Sequence, residues 1–191
     1  MTLAYLISAH TDAPQLKRLV ETLHPDAHFF IHIDKKSDIT PFQALLPQDN
    51  VHFIQERIDV RWGTILEVEY QMALIKAAID HPVTFDRIFF LSGMDYPLWS
   101  NDRITHWLEA QKGKEILSGI CMDNPAISEQ QRTLYSTARP FFRIGFISNQ
   151  ANQRLSIVCR KAKQLLGLRK SLSFPVGNAT WHLYKGAAWW C

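Results

Sequence analysis

Short apolar runs alternate with amphipathic stretches along most of this chain. Leu3–Ser8 (LAYLIS), His28–Ile33 (HFFIHI), Val51–Gln55 and Ile88–Leu91 (IFFL) are hydrophobic segments of strand length. The near-continuous ones carry the pattern of strands covered on both faces. The first predicted helix opens at Thr11-Asp12-Ala13-Pro14, an N-cap candidate followed by a first-turn proline. It carries Leu16, Leu19, Val20 and Leu23 at helical spacing until His24-Pro25 closes it. A short helix is expected around Phe42–Leu46. A longer one, roughly Thr64 to Asp80, has Ile65, Val68, Met72, Ile75 and Ile79 on one face. A helix from about Asp102 to Gln111 and a strand at Glu115–Ser118 follow. Alternation of this kind predicts an α/β fold, a Rossmann-type, mostly parallel sheet with helices on both faces.

The rhythm breaks over 124–152, which is polar, holds Arg132, Arg139 and Arg143, and scatters Tyr135, Phe141, Phe142 and Phe146 among them. Long irregular stretches of compact domains are commonly binding loops. A basic helix, about Arg154–Leu166, then precedes a stop at Gly167, and Phe174–Trp190 reads as one more strand pair.

At 191 residues, with 47% hydrophobic and 20% charged residues, the chain reads as one globular domain spanning 1–191. A formal charge of +3 gives no reason to expect nucleic acid as a partner. The cluster Arg160, Lys161, Lys163, Arg169 and Lys170 suits a solvated helix face better than a phosphate- or membrane-facing patch. Three cysteines without C-x-x-C spacing argue against a disulfide framework and a structural zinc site, which makes a reducing compartment the expectation. No signal peptide is read ahead of the first strand, and no apolar run approaches the ~18 residues of a spanning helix. The chain stops inside the apolar run Ala187-Ala188-Trp189-Trp190-Cys191, which reads as a fragment.

Neither G-x-G-x-x-G nor G-x-x-x-x-G-K-[ST] occurs, which disfavours a nicotinamide-dependent oxidoreductase and a P-loop enzyme. H-E-x-x-H and G-x-S-x-G are absent too. What remains is a set of polar residues just past strand ends: His10, Asp34 with Lys35, Trp62-Gly63, and Ser92 with Asp95. In a parallel sheet such ends share an edge, where open α/β sheets bind ligands. The central segment is Arg87–Leu98 (RIFFLSGMDYPL), in which Gly93 permits a close backbone approach and Pro97 ends the strand. Asp95 suits either ligand chemistry or a tight turn in which it caps a backbone N–H. Asp34 suits either a ribose or base contact or a helix cap in a βα loop. His10 reads as structural before catalytic. Trp62 offers a stacking ring or a buried anchor for Gly63's turn. Trp189 and Trp190 suit a core pair or a sugar platform.

Taken in order, a strand ending in SAH, then HIDKKSD, V-R-W-G before a long helix, FFLSGMDYPL and G-A-A-W-W resemble one family. It is the core-2/I-branching β-1,6-N-acetylglucosaminyltransferase and peptide O-xylosyltransferase family. The resemblance implies a GT-A-like enzyme that moves a sugar (N-acetylglucosamine or xylose) from a UDP-sugar to a glycan or other hydroxyl acceptor, with inversion. No plausible D-x-D is present, and the family implies no metal and no cofactor beyond the donor. Carried over, Asp34 contacts uridine, Trp62 and Gly63 border the nucleotide, and Ser92, Gly93 and Asp95 floor the donor site, with His10 on the same rim. Trp189 and Trp190 lie beside the acceptor, and Arg132 and Tyr135 fall where the family holds acceptor loops. The family's base is a Glu downstream of W-W, so this chain is expected to be inert alone, Asp95 and Glu69 being the local stand-ins. The resemblance also implies a bacterial, cytoplasmic setting, at most peripheral to the inner membrane face. The rival expectation is a non-catalytic nucleotide-sugar- or carbohydrate-binding domain.

Overall fold

The computed structural model describes residues 1–61, 64–116, 119–121, 149–168, 173–176, 179–182 and 184–186. The chain divides into two compact units, Met1–Leu117 and Ser118–Ala187.

The first unit holds β1 (Leu3–Ala9), α1 (Ala13–Thr22), β2 (His28–Ile33), α2 (Thr40–Leu45), β3 (Val51–Phe53), α3 (Leu66–Ile79), β4 (Arg87–Ser92) and α4 (Asn101–Ala110). The four strands form one parallel sheet in the order β3-β2-β1-β4. β1 and β2 are buried on both faces, which explains their lack of polar alternation. Leu3, Tyr5, Ile7 and Ala9 of β1, with Phe29, Ile31 and Ile33 of β2, join Leu16 and Leu19 of α1, Phe42 of α2 and Leu108 of α4. Ala4, Leu6, Phe30 and Phe90 turn the other way, onto Tyr70, Leu74 and Ala78 of α3. Tyr5 stacks between Phe29 and Phe89, at 5.5 and 5.0 Å, and so links three adjacent strands.

Three expectations need correction here. Of the apolar stripe read on α3, Ile65, Val68, Met72 and Ile79 are exposed and Ile75 packs against the core, while Tyr70, Leu74 and Ala78 meet the sheet. The helix is apolar around most of its circumference, so periodicity gives two candidate faces and the sheet selects the one with the aromatic ring and the small residue. β4, expected to be central, lies at one edge of the four-stranded sheet among the described residues, with β3 at the other edge, and only Phe90 in it is fully buried. Glu115 and Ile116 are not strand. The Arg87 guanidinium donates to the Gln111 and Lys114 carbonyls at 2.8 and 2.7 Å, holding the chain after α4 as a turn, with Gly113 at φ 82°.

In the second unit, α5 (Asn149–Leu165) begins earlier than expected, taking 149–152 out of the irregular stretch, and ends before Gly167 at φ 67°. Strand β5 (Gly119–Cys121) pairs antiparallel with β8 (Tyr184–Gly186), and β6 (Ser173–Val176) with β7 (Ala179–His182), in keeping with a strand pair near the end of the sequence. Residues 122–148 lie outside the described ones. Cys159 carries a free thiol. Among the described residues no helix is long and apolar enough to cross a membrane.

One contact fixes how β4 leaves the sheet. Gly93 N–H donates to Ser8 O at 2.8 Å, and a Cβ built on Gly93 would lie 2.7 Å from Ala9 Cβ. Gly93→Ala is therefore expected to destabilise the fold by about 1–3 kcal/mol through overpacking. Adding Ala9→Gly should recover part of that loss, although the new glycine itself costs about 0.5–1 kcal/mol in a strand. Urea unfolding of both single variants and the double variant checks this; simple additivity of the two losses would refute the contact.

Candidate functional site

The carboxyl ends of β1, β2 and β4 stop level with one another. Ser8 is opposite Ser92 and Ala9 opposite Ile33, so His10, Asp34 and Gly93 follow on adjacent strands. At ~4.8 Å between strands they span about 10 Å of one rim. The chain order reverses between β1 and β4, since β2 and β3 extend to one side of β1 and β4 lies on the other. Such a switch point opens the crevice where doubly wound sheets bind ligands.

The loop after β2 is built around Asp34, which is buried apart from 8% of its surface. Its N–H donates to Ala9 O at 2.9 Å, its Oδ1 accepts from Lys36 N–H at 2.9 Å, and its Oδ2 pairs with Lys36 Nζ at 2.9 Å. Asp34 thus closes a turn on itself, an Asx turn rather than a helix cap. The residue just ahead of α2 is Ile39, which makes no side-chain cap bond, while Asp38 Oδ1 accepts from Thr40 N–H at 3.0 Å. Lys36 Nζ donates further to Asp59 Oδ1 at 2.7 Å and to Val60 O at 2.5 Å, using all three of its N–H groups. These contacts raise the Lys36 pKa, Asp59 first and Asp34 second, and lower that of Asp59. Arg61 Nη2 also reaches Asp59, at 3.4 Å. Arg57 Nη1 donates to Ser37 O at 2.9 Å, and Ser37 Oγ donates to His10 O at 2.6 Å. The 57–61 strap, the β2–α2 loop and the end of β1 are therefore one hydrogen-bonded piece, with the His10 side chain exposed on it.

Beneath the strap lies His32, 1% exposed and stacked on Tyr70 at 5.2 Å. Its Nε2 accepts from Ile58 N–H at 2.9 Å, which places the ring proton on Nδ1. Burial pushes its pKa down to about 4; Asp34 opposes that shift and Arg57 adds to it.

The loop after β4 is tied down from the other side. Asp95 Oδ2 accepts from Ser92 N–H at 2.8 Å, and Ser92 Oγ accepts from Met94 N–H at 3.2 Å. Gln15 Nε2 donates to Asp95 O at 3.2 Å, and Tyr96 contacts Thr22 Oγ1 at 3.1 Å. Asp95 is thus a turn-former whose loop is tied to α1. The α1 start is closed by Asp12, at φ 53°, whose side chain accepts from Gln15 N–H. With Pro14 lacking an N–H, that terminus has little to give a phosphate. An apolar cavity of about 400 Å³ lies below this loop, lined by Tyr5, Leu19, Phe89, Tyr96, Trp99 and Trp107 among others. Among the described residues Asp95 is the one charged residue on its wall, so the cavity as described suits apolar groups better than a nucleotide.

Of the sequence-predicted residues, His10, Asp34, Ser92, Gly93 and Asp95 come together on this rim. Trp62, Gly63, Arg132, Tyr135, Trp189 and Trp190 lie outside the described residues. Glu69 is exposed in the first turn of α3. Sequence reasoning missed Lys36, Arg57, His32 and Gln15. Lys36 stands inside the HIDKKS motif, but its partners Asp59 and Val60 are 23 and 24 residues away, beyond local pattern.

A parallel α/β sheet with polar groups gathered at a strand-order switch is consistent with a GT-A-like fold. The sequence matches the Core-2/I-Branching enzyme family over residues 3–191, and the chain belongs to that family. It is 30% identical to xylosyltransferase 2 of Rattus norvegicus over 135 residues, covering 68% of this chain and 16% of that protein. The Homo sapiens xylosyltransferase 2 gives the same figures. The Homo sapiens N-acetyllactosaminide beta-1,6-N-acetylglucosaminyl-transferase is 24% identical over 139 residues, 70% of this chain and 34% of that protein. The aligned part is thus a small fraction of the xylosyltransferases.

The His32 ring makes a pH prediction. Its unfolded form takes up a proton near pH 6.5, its folded form only near pH 4, so its contribution is complete above pH 6.5 and lost as pH falls to about 4. The loss is on the order of 3 kcal/mol. His32→Gln, which keeps an acceptor for Ile58 but does not titrate, should flatten the fall of the urea midpoint over that window. His28 and His52, also lowered by burial, leave a residual slope of the same sign. An unchanged profile would show that His32 is not the buried titrating group.

Proposed function

We propose that this chain provides the donor-binding rim of a glycosyltransferase that moves xylose or N-acetylglucosamine from a UDP-sugar to a hydroxyl of a glycan or glycoconjugate. The supporting observation is the convergence of His10, Asp34 and the Ser92–Asp95 turn at the β1/β4 switch point, in a member of the Core-2/I-branching family. The names of the aligned relatives supply the two sugars.

In this reading uridine lies over the Asp34 turn, whose carboxylate accepts from a ribose hydroxyl or base N–H, while the donor sugar lies toward Gly93, where the missing side chain leaves room. The acceptor oxygen attacks the anomeric carbon from the face opposite UDP. The bond from that carbon to the β-phosphate oxygen breaks, its electron pair leaves with UDP, and the configuration inverts. A base takes the acceptor proton. Asp95 Oδ2 accepts the Ser92 N–H, and in this reading Asp95 shapes its turn while the base comes from elsewhere. Lys36 and Arg61 are matched to Asp34 and Asp59, so the diphosphate is compensated by other cations rather than by these. The reaction uses no metal.

Calorimetric titration with UDP should give saturable binding. Asp34→Asn keeps an acceptor for the Lys36 amide but loses the charge, and should weaken UDP about 10–100-fold, the worth of a charged hydrogen bond. Asp95→Asn, which preserves an acceptor for Ser92, should leave UDP affinity nearly unchanged. Wherever UDP release from a UDP-sugar is measurable, it should cost far less than the ~10²–10⁴-fold of a lost general base. Binding of free sugar without UDP would instead identify a carbohydrate-binding domain.

A further inference from the structure

At the other end of the sheet, three histidines from separate segments meet. His28 opens β2, His52 lies in β3, and His81 follows α3. All three are half-buried, and one ring nitrogen from each lies within 4.8 Å of the other two. His28 Nδ1 and His52 Nε2 are 3.1 Å apart, close to the separation of about 3.3 Å between two ligands of a tetrahedral zinc ion at 2.0–2.1 Å. The His81 ring centroid is 4.8 Å from each of the others.

Sheet geometry explains the convergence. His28 and Phe30 share the α3-facing side of β2, and the parallel register sets His52 opposite Phe30. The turn that ends α3 delivers His81 to the same spot. Phe30 and Phe85 pack around the rings. Packing alone would be served by more phenylalanine; these three rings instead bring one nitrogen each within 4.8 Å of one another.

We propose that His28, His52 and His81 form a binding site for one divalent transition-metal ion of the zinc type, with water in the fourth position. Binding needs no net change in protonation. The shared hydrogen bond between His28 and His52 is given up, and each ring carries its proton on the nitrogen facing away from the metal. His81 exchanges the 3.2 Å bond its Nδ1 accepts from Val83 N–H for the metal, or shifts its proton to Nδ1 and binds through Nε2. The site is about 20 Å from the rim, the length of the six-residue strand β2. Its role is a staple, clamping the three-residue strand β3 and the end of α3 to β2. It is independent of the reading of the rim, and neither result bears on the other.

The probes are Zn²⁺ and Co²⁺ alone, added to the full chain under a metal-free reductant. Expected are one equivalent of chelator-reversible binding, a rise in the unfolding midpoint, and visible Co²⁺ bands of tetrahedral strength. His52→Gln and His81→Gln should each lower Zn²⁺ affinity by more than the roughly 10–100-fold of an outer-shell partner. His106→Gln, exposed on α4, should not change it. His81 lies in a turn, so its variant keeps the test sound if the strand variant misfolds, with far-UV circular dichroism as the check. The proposal is overturned by the absence of saturable binding, by unchanged affinity in a folded His81→Gln, or by a thiolate-to-Co²⁺ charge-transfer band that moves the ion to cysteine.

Discussion

The rim depends on how closely β4 approaches β1 as it leaves the sheet. A side chain on Gly93 would strike Ala9, and it is this missing methyl that lets the amide of Gly93 reach Ser8 O. From that point the turn Ser92–Asp95 is determined: Asp95 folds back onto the Ser92 amide, and Gln15 and Thr22 of α1 hold the loop that follows. The other half of the rim is fixed in the same manner by Asp34 bonding to Ala9 O. Both loops thus hang on the last residues of one central strand, and any ligand between them meets backbone whose position is set by the core.

Electrostatics then limits what the rim does unaided. Its carboxylates and cations are largely spent on one another: Lys36 uses every N–H on Asp34, Asp59 and Val60, and Arg61 leans on Asp59. The arrangement gives a rigid, nearly neutral wall instead of a cationic cradle, and the N-terminus of α1 is blocked by Asp12 and Pro14. Such a wall offers hydrogen-bond acceptors more readily than free positive charge. The buried His32 beneath it holds the 57–61 strap without contributing charge of its own at neutral pH.

Much of this was legible from residue order. LAYLIS and HFFIHI announce doubly covered strands, Asp12-Ala13-Pro14 announces a helix start, and SGMDYP announces a strand end with a close approach, because each signal is local in sequence. The motifs HIDKKS and LSGMDYP, in that order, also pointed to the family that the match over residues 3–191 establishes. Local pattern misjudged α3, whose two apolar faces are equivalent until a sheet chooses between them. It likewise misjudged Glu115–Ile116, where Arg87 from a different element captures the carbonyls.

By itself, then, the sequence determined the alternation of elements, the parallel layer and which strand ends carry polar groups, since hydrophobic period and turn chemistry act over a few residues. Only the tertiary structure decided what those polar groups bond to. Asp34 is the partner of Lys36 in a turn, Asp95 serves its own loop, and His28, His52 and His81 meet although 24 and 29 residues separate them in the chain. The physical reason is that side-chain partnership depends on strand register and on the packing of helices against the sheet, and neither is written in the spacing of any one segment.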